Sequence, residues 1–416
     1  MKIARTFAVG AAVAFGAMVA WAGDVSWEQC AREARARHPD LRAAEASVRS
    51  AAAAVGSGRA EYWPDLDGGV DYSRSHSSAS GDQYAYSLSA SQRLFPGLTD
   101  QPEVAKAKAA LDAARADLAS TSADVQIDLR SAFARLLHAQ EFLTLAEKIA
   151  DRRKQNVDLV RARFDAGREH KGSFLRAKAQ AHEADFDVRQ ARRAVRVAQQ
   201  ELRRALGGRD DGEVRAVGGL EAGVPPEEPD FAALADRTPA VRKSVADRRA
   251  GELGVTIERR NFYPTLSLSG SAKRSDGRWP PRRTTGDWSG GLALSLPLFS
   301  GGKEWRDVES ARADAERLAF VEESARNFAS LDLRDRHAGF VDAAEFVAVR
   351  EEFLEAARVR AEIAQAQYAS GLLTYQDWDI IENDLISQER AALAARRDAV
   401  LAEAEWLNAT GKELEP

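Results

Sequence analysis

Apolar positions along this chain follow two periods, and each period recurs in two places. From Glu103 to Ala166 there is neither Gly nor Pro, and from Lys303 to Ser370 the only such residue is Gly339. Within the first stretch Leu129, Leu136, Leu143, Ala150, Val157 and Phe164 fall seven apart. Leu333, Phe340, Val347, Leu354, Ala361 and Tyr368 do the same in the second. Sustained sevenfold spacing predicts helices packed lengthwise against other helices, as in a coiled coil. At 1.5 Å per residue each would be a rod of roughly 100 Å. A returning helix follows each rod. Phe174, Ala177, Ala181, Ala184, Val188, Ala191, Val195, Ala198 and Leu202 step by three and four, and Trp378, Ile381 and Leu385 open a matching series that ends at Trp406. The turns between them, "AGREHKGS" from Ala166 and "SGLLTYQ" from Ser370, each hold a Gly suited to a helix C-terminus.

The second period is two. Leu66, Gly68, Val70 and Tyr72 alternate with Asp67, Gly69, Asp71 and Ser73. Tyr84, Tyr86, Leu88 and Ala90 alternate with Ala85, Ser87, Ser89 and Ser91. Leu266 and Leu268 alternate with Ser267 and Ser269, and Trp288, Leu292, Leu294 and Leu296 with Ser289, Ala293 and Ser295. Such alternation over about ten residues fits a membrane-spanning β-strand, and it fits equally a soluble hairpin with one wet face. Most Tyr residues sit in or just before these strands, where an aromatic girdle would place them. In a bilayer strands must close into a barrel, and known barrels begin at about eight strands. Strands from one chain would then have to join those of other copies, with Ser87, Ser89, Ser267 and Ser269 toward a lumen and Leu88, Leu268 and Leu292 toward lipid.

The two halves match in order. "EYWPDLDGGV" at Glu61 corresponds to "NFYPTLSLSG" at Asn261, and His38-Pro39-Asp40-Leu41 to Thr238-Pro239-Ala240-Val241. Beyond an expected insertion near residues 273–287, Leu94-Phe95-Pro96-Gly97 corresponds to Leu298-Phe299-Ser300-Gly301. Phe164-Asp165-Ala166-Gly167 then corresponds to Tyr368-Ala369-Ser370-Gly371, and Leu206-Gly207 to Thr410-Gly411. This is an internal duplication. It predicts a first repeat over 23–206, a Gly-, Pro- and acid-rich linker or equatorial insert over 207–230, a second repeat over 231–411 and a tail over 412–416.

Composition narrows the function. The 416 residues carry a formal net charge of -5 with both signs interspersed, so nothing marks a nucleic-acid partner. Lys2 and Arg5, the apolar run Phe7 to Val19 and the Ala20-Trp21-Ala22 site predict a signal peptide over 1–22, too short to serve as a spanning helix. Cys30 is the only cysteine, which excludes an intrachain disulfide, and it reads as structural. The six His residues show no metal-ligand spacing, and there is no phosphate loop or nucleophile elbow. No enzyme, metal or cofactor is expected.

The duplicated layout, the aromatic-Pro pairs Tyr62-Trp63-Pro64 and Phe262-Tyr263-Pro264, "LFSGG" at Leu298 and "YASGLLTYQDW" at Tyr368 together resemble the TolC family of outer-membrane efflux proteins, over roughly residues 27 to 411. The resemblance implies a mainly α protein with membrane β: long antiparallel helical hairpins forming a periplasmic tunnel, and four strands per chain in the shared twelve-stranded barrel of a homotrimer. It implies an outer-membrane exit duct for small molecules or ions that meets a periplasmic adaptor protein and, through it, an inner-membrane transporter. Type I protein secretion is the alternative within the family, and a periplasmic coiled-coil adaptor or scaffold the alternative outside it. By the same resemblance the adaptor-contacting tips would be Ala166, Gly167 and Arg168 in the first hairpin and Ser370, Gly371 and Leu372 in the second. Arg168 departs from the small-Gly-Leu tip pattern. Asp377, with Asp379 and Glu382 nearby, is the candidate set of pore-gate acids; a solvated helix face is the other reading of these residues. The cargo is not written in the sequence, since selection lies with the pump.

Overall fold

The long uninterrupted stretches form single helices because nothing in them breaks the backbone ladder, and their apolar seams need partners to cover them. A computed structural model describes residues 23–75, 81–208, 213–227, 229–277, 279 and 285–414. The expected signal peptide lies outside them, as do part of the expected insertion at 273–287 and the last two residues. A short strand β1 (Gly23–Val25) precedes helices α1 (Trp27–Arg37) and α2 (Pro39–Ala60), strands β2 (Asp65–Ser75) and β3 (Gly81–Pro96), and helices α3 (Asp100–Asp165) and α4 (Lys171–Ala205). After β4 (Val214–Ala216) the succession returns as α5 (Phe231–Ala235), α6 (Pro239–Arg260), β5 (Thr265–Asp276), β6 (Thr285–Ser295), α7 (Lys303–Ser370) and α8 (Tyr375–Ala409).

The rods are 66 residues for α3 and 68 for α7. At 1.5 Å per residue each spans roughly 100 Å. α4 folds back on α3 and α8 on α7, and α3 also packs on α8, so the two hairpins lie side by side. The sevenfold positions form the seam: Leu129, Leu136, Leu333, Phe340, Ala361 and Tyr368 are all buried. The shared origin of the halves persists in the packing. Phe164 stacks on Phe174 with centroids 5.9 Å apart and planes at 5°. Their counterparts Tyr368 and Trp378 stack at 4.4 Å and 8°. At the other end Gly207 and Gly411 adopt φ of 75° and 70° against the N1 prolines of α2 and α6, Pro39 and Pro239. A Cβ at either place would collide with the proline ring, so each return helix ends tightly on the start of its own repeat.

Strands β2, β3, β5 and β6 form one antiparallel sheet in the order β2-β3-β5-β6, and the β3-β5 pairing joins the two halves. Its register puts Leu66 opposite Ala90, Leu268 opposite Leu292 and Ala272 opposite Trp288. The opposite face carries Asp67, Ser89, Ser271 and Ser289 in one row across the four strands, with the Ser271 and Ser289 hydroxyls 2.9 Å apart. Leu296 lies just past the end of β6. The segment expected as a linker is not wholly irregular, because β4 pairs in parallel with β1 through Val25 and Ala216. Gln140 of α3 fastens that pair, donating to the Ala216 carbonyl and accepting from its N–H, both at 3.0 Å.

Candidate functional site

The region with the most chemistry lies where the hairpins end. α3 stops in a Schellman turn: the Arg168 N–H donates to the Arg163 carbonyl at 2.8 Å, with Gly167 at φ 69°. α7 stops likewise, the Leu372 N–H donating to the Gln367 carbonyl at 2.8 Å and Gly371 at φ 85°. Gly takes this left-handed conformation without a Cβ penalty, and the side chains on either side of it are thrown outward. Ala166, Gly167, Arg168, Ser370, Gly371 and Leu372 are all exposed, and Leu372 is 81% exposed. An aliphatic side chain so open at the tip of a rod gains nothing from the fold that carries it.

Cross-links beneath the tips hold the two hairpins to one another. Arg163 of α3 donates to the Tyr368 carbonyl at 2.5 Å and lies over the Tyr368 ring, 4.6 Å from its centroid. The Tyr368 hydroxyl donates to Glu169 at 3.2 Å. Burial, with the Glu169 charge after it, pushes the Tyr368 phenol far above its ordinary range, so it remains a donor. Tyr375 is pushed up to about 12, first by burial and next by the Asp379 carboxylate.

The three candidate acids have different surroundings. Asp377 is exposed near the start of α8, where its N–H donates to Thr374 Oγ1 at 3.2 Å and its carboxylate accepts from the Thr374 hydroxyl at 2.7 Å. Asp379 is 3% exposed and is enclosed by donors: Arg176 Nη2 at 2.8 Å, Gln180 Nε2 at 2.8 Å and Arg153 Nη1 at 3.6 Å. Glu382 is buried too, 3.4 Å from Arg152, which also forks onto Glu389 at 2.9 and 3.3 Å. Of the three expected gate acids, Asp379 and Glu382 are thus enclosed within the chain and only Asp377 is open to solvent. A carboxylate buried against guanidinium groups has its field neutralised where it stands, and here it bridges helices. Burial lowers the affinity of Arg153 for its proton, and the Asp379 and Glu382 charges oppose that shift.

Sequence reasoning did not single out Arg153, Arg163, Arg176 or Gln180. Their partners lie some two hundred residues away, and no local spacing announces such pairs. Cys30 is buried in a core cluster that α1 shares with β1, α2 and α3, and its thiol is pushed up to about 12 by burial, as suits a packing residue. Among the described residues there is no group of His, Cys, Asp and Glu able to hold a metal, and no helix is long and apolar enough to cross a membrane.

Comparison with known proteins agrees with this geometry. A family model described as "Outer membrane efflux protein" matches residues 30–208 and 232–412. The outer membrane efflux protein BepC of Brucella suis biovar 1 (strain 1330) is 22% identical over 375 residues, covering 89% of this chain and 82% of that one. The outer-membrane channel OprN superposes with a TM-score of 0.80 at 21% identity, over 94% of this chain and 90% of OprN. The open state of the Neisseria gonorrhoeae MtrE outer membrane channel superposes at 0.79 and 20% identity, over 93% and 89%.

Proposed function

This chain belongs to the outer membrane efflux protein family and is an outer-membrane efflux channel that extends into the periplasm, and from that premise we propose that three copies close one barrel and one tunnel. Channels of this family work with adaptor proteins and inner-membrane transporters. The observation that carries the trimer is the sheet. Its four strands end in two edges, β2 and β6, that no other described strand covers. Its apolar face is bare, with Trp288 83% and Leu292 67% exposed. Hydrocarbon does not tolerate an unpaired edge, so β6 of one copy requires β2 of the next. Strands of eleven residues, tilted as in outer-membrane barrels, supply an apolar band of about 25 Å. The Ser and Asp rungs then line a wet lumen.

The helices support the same closure. α7 bears a second apolar stripe that no other described part of the chain covers, including Phe320, Phe328, Leu331, Phe346, Phe353 and Ile363. It is acidic in balance, whereas α4, at the opposite side of the hairpin pair, is basic and exposes Leu175, Phe186 and Val197. α7 of one copy against α4 of the next covers both stripes and neutralises both charges.

In this reading the exposed tips meet the adaptor, and the arginine and carboxylate links beneath them hold the hairpins closed until adaptor binding favours an opened arrangement. Asp377, on the surface near the second tip, is the acid available to favour cations at the entrance. The mass of the protein extracted from outer membranes in detergent, measured by light scattering, tests the proposal. A trimer supports it, and a monomer released without detergent rejects it.

A further inference from the structure

Helices α4 and α8 start at corresponding places in the two repeats with nearly the same backbone, His170 at φ -93°, ψ 157° and Thr374 at φ -77°, ψ 157°. Each residue caps its helix through its side chain. Thr374 Oγ1 accepts the Asp377 N–H at 3.2 Å, and His170 Nδ1 accepts the Ser173 N–H at 3.3 Å. Local packing makes room for the ring. A Cβ on Gly172 would lie 3.1 Å from His170 Nδ1 and 3.3 Å from Cε1, tighter than ordinary contacts, whereas the corresponding residue beside the smaller Thr374 is Gln376. The first repeat thus has an imidazole cap with a glycine beneath it, and the second has a hydroxyl cap without one.

We propose that His170 makes the tip of the first hairpin a pH-sensitive joint, while the Thr374 cap leaves the second tip indifferent to pH. A hydroxyl keeps its acceptor lone pairs at any pH near neutrality. An imidazole nitrogen accepts only while it carries no proton, and imidazole is the side chain whose charge changes between about pH 5 and 8. A proton on Nδ1 converts the acceptor into a donor facing the Ser173 N–H. It also sets a cation against the positive end of the α4 dipole. The first turn of α4 loses its cap.

The groups around the ring decide where the imidazolium goes. The Glu169 carboxylate lies 3.9 Å from Nε2, Ser173 Oγ lies 3.2 Å from the same nitrogen, and Lys171 follows in the chain. Glu169 is also the acceptor for the Tyr368 hydroxyl of α7, whose ring Arg163 covers. The imidazolium turns to Glu169, and by competing with Tyr368 it loosens the link from the first tip to the second. One proton therefore acts on the cap and on the cross-link together. His38 repeats the chemistry at α2, its Nδ1 accepting the Asp40 N–H at 3.3 Å, but its side chain is largely buried whereas that of His170 is open to solvent. The meaning for transport rests on the duct reading, in which this tip meets an adaptor; the joint itself does not.

Hydrogen exchange on the full-length protein in detergent tests the joint without any partner. Protection of the first-turn amides of α4, corrected for intrinsic exchange, is expected to fall about fivefold between pH 7.5 and pH 5, the scale of one lost cap. The first turn of α8 is expected to hold its protection. His170→Thr is expected to give α4 the same pH-independence. Equal responses at both tips, or none at α4, overturn the proposal, as does a pH dependence that survives His170→Thr. Should that variant not fold, the comparison of the two tips within the unaltered protein decides alone.

Discussion

Arg176 of α4 and Asp379 of α8 meet at 2.8 Å across the groove between the two hairpins, an arginine 63% exposed against a carboxylate 3% exposed. The asymmetry fixes what each contributes. Arg176 gives an ion pair at the surface, where such pairs contribute up to about 1 kcal/mol. Asp379 also neutralises Arg153, whose side chain is buried. Asp379→Ala would take from that buried guanidinium the larger of the two carboxylate charges that act on it, Glu382 supplying the other, a loss of roughly 3 kcal/mol. Unfolding followed by circular dichroism in detergent should show Asp379→Ala melting well below Arg176→Ala. Equal losses would mean that the buried arginine draws nothing from Asp379.

The same burial separates selectivity from stability. Asp377→Asn keeps an acceptor for the Thr374 hydroxyl and removes an exposed charge near the second tip. It should weaken cation preference in planar bilayers, read as a shift of reversal potential under a salt gradient. Asp379→Asn should shift that potential less, because the carboxylate it replaces is buried between the hairpins while that of Asp377 is open to solvent. A shift with Asp379→Asn and none with Asp377→Asn would reverse the assignment.

Two positions in neighbouring columns of the sheet test which face meets lipid. Leu292 shares its face with Leu268 and Trp288, while Ser271 shares the other with Ser289. Leu292→Arg should reduce the amount of trimer recovered from outer membranes, since a cation near the bilayer midplane costs roughly 2–4 kcal/mol. Ser271→Arg should assemble and lower conductance instead. Loss of assembly with Ser271→Arg alone would invert the sheet.

The rods, hairpin turns, strands and duplication were legible because each is written in local periodicity. Gly167 and Gly371 mark the tips, the sevenfold Leu and Ala positions mark the seam, and the Ser-Leu alternation of β5 marks its faces. What could not be read is what joins distant segments. Nothing near Arg153 announces Asp379, and nothing near Val25 announces Ala216. Asp377, Asp379 and Glu382 look alike in sequence. On a helix two positions turn a side chain through roughly 200°, and five through roughly 500°. Only the position of α3 and α4 decides which of those directions is buried.

His138 of α3 gives the protein an acid limb. Burial first, and Arg397 next, lower its pKa to about 4 against an ordinary 6.5. Between those values the unfolded chain holds a proton that the folded chain does not, so stability rises with pH across that window and falls as pH drops from 6.5 toward 4. His138→Gln, which keeps a polar group of similar length, should flatten the limb in thermal melts taken across that range. An unchanged slope would place the acid sensitivity elsewhere.

Leu372 presents the sharpest test of the tips. It is exposed at the turn that ends α7 and makes no contribution to a core, so Leu372→Glu should change stability by no more than about 0.5 kcal/mol. Burial of a whole leucine side chain in an interface is worth roughly 1.5–3 kcal/mol, enough for a tenfold or larger loss of affinity on conversion to a charge. Purified periplasmic adaptors screened by surface plasmon resonance should include one that binds the unaltered protein and loses at least that much with Leu372→Glu, while Leu372→Met holds on. Arg168, at the corresponding place in the first tip, is long, charged and exposed, so Arg168→Leu should shift which adaptor binds. Affinities that ignore both substitutions would remove the tips from the docking surface.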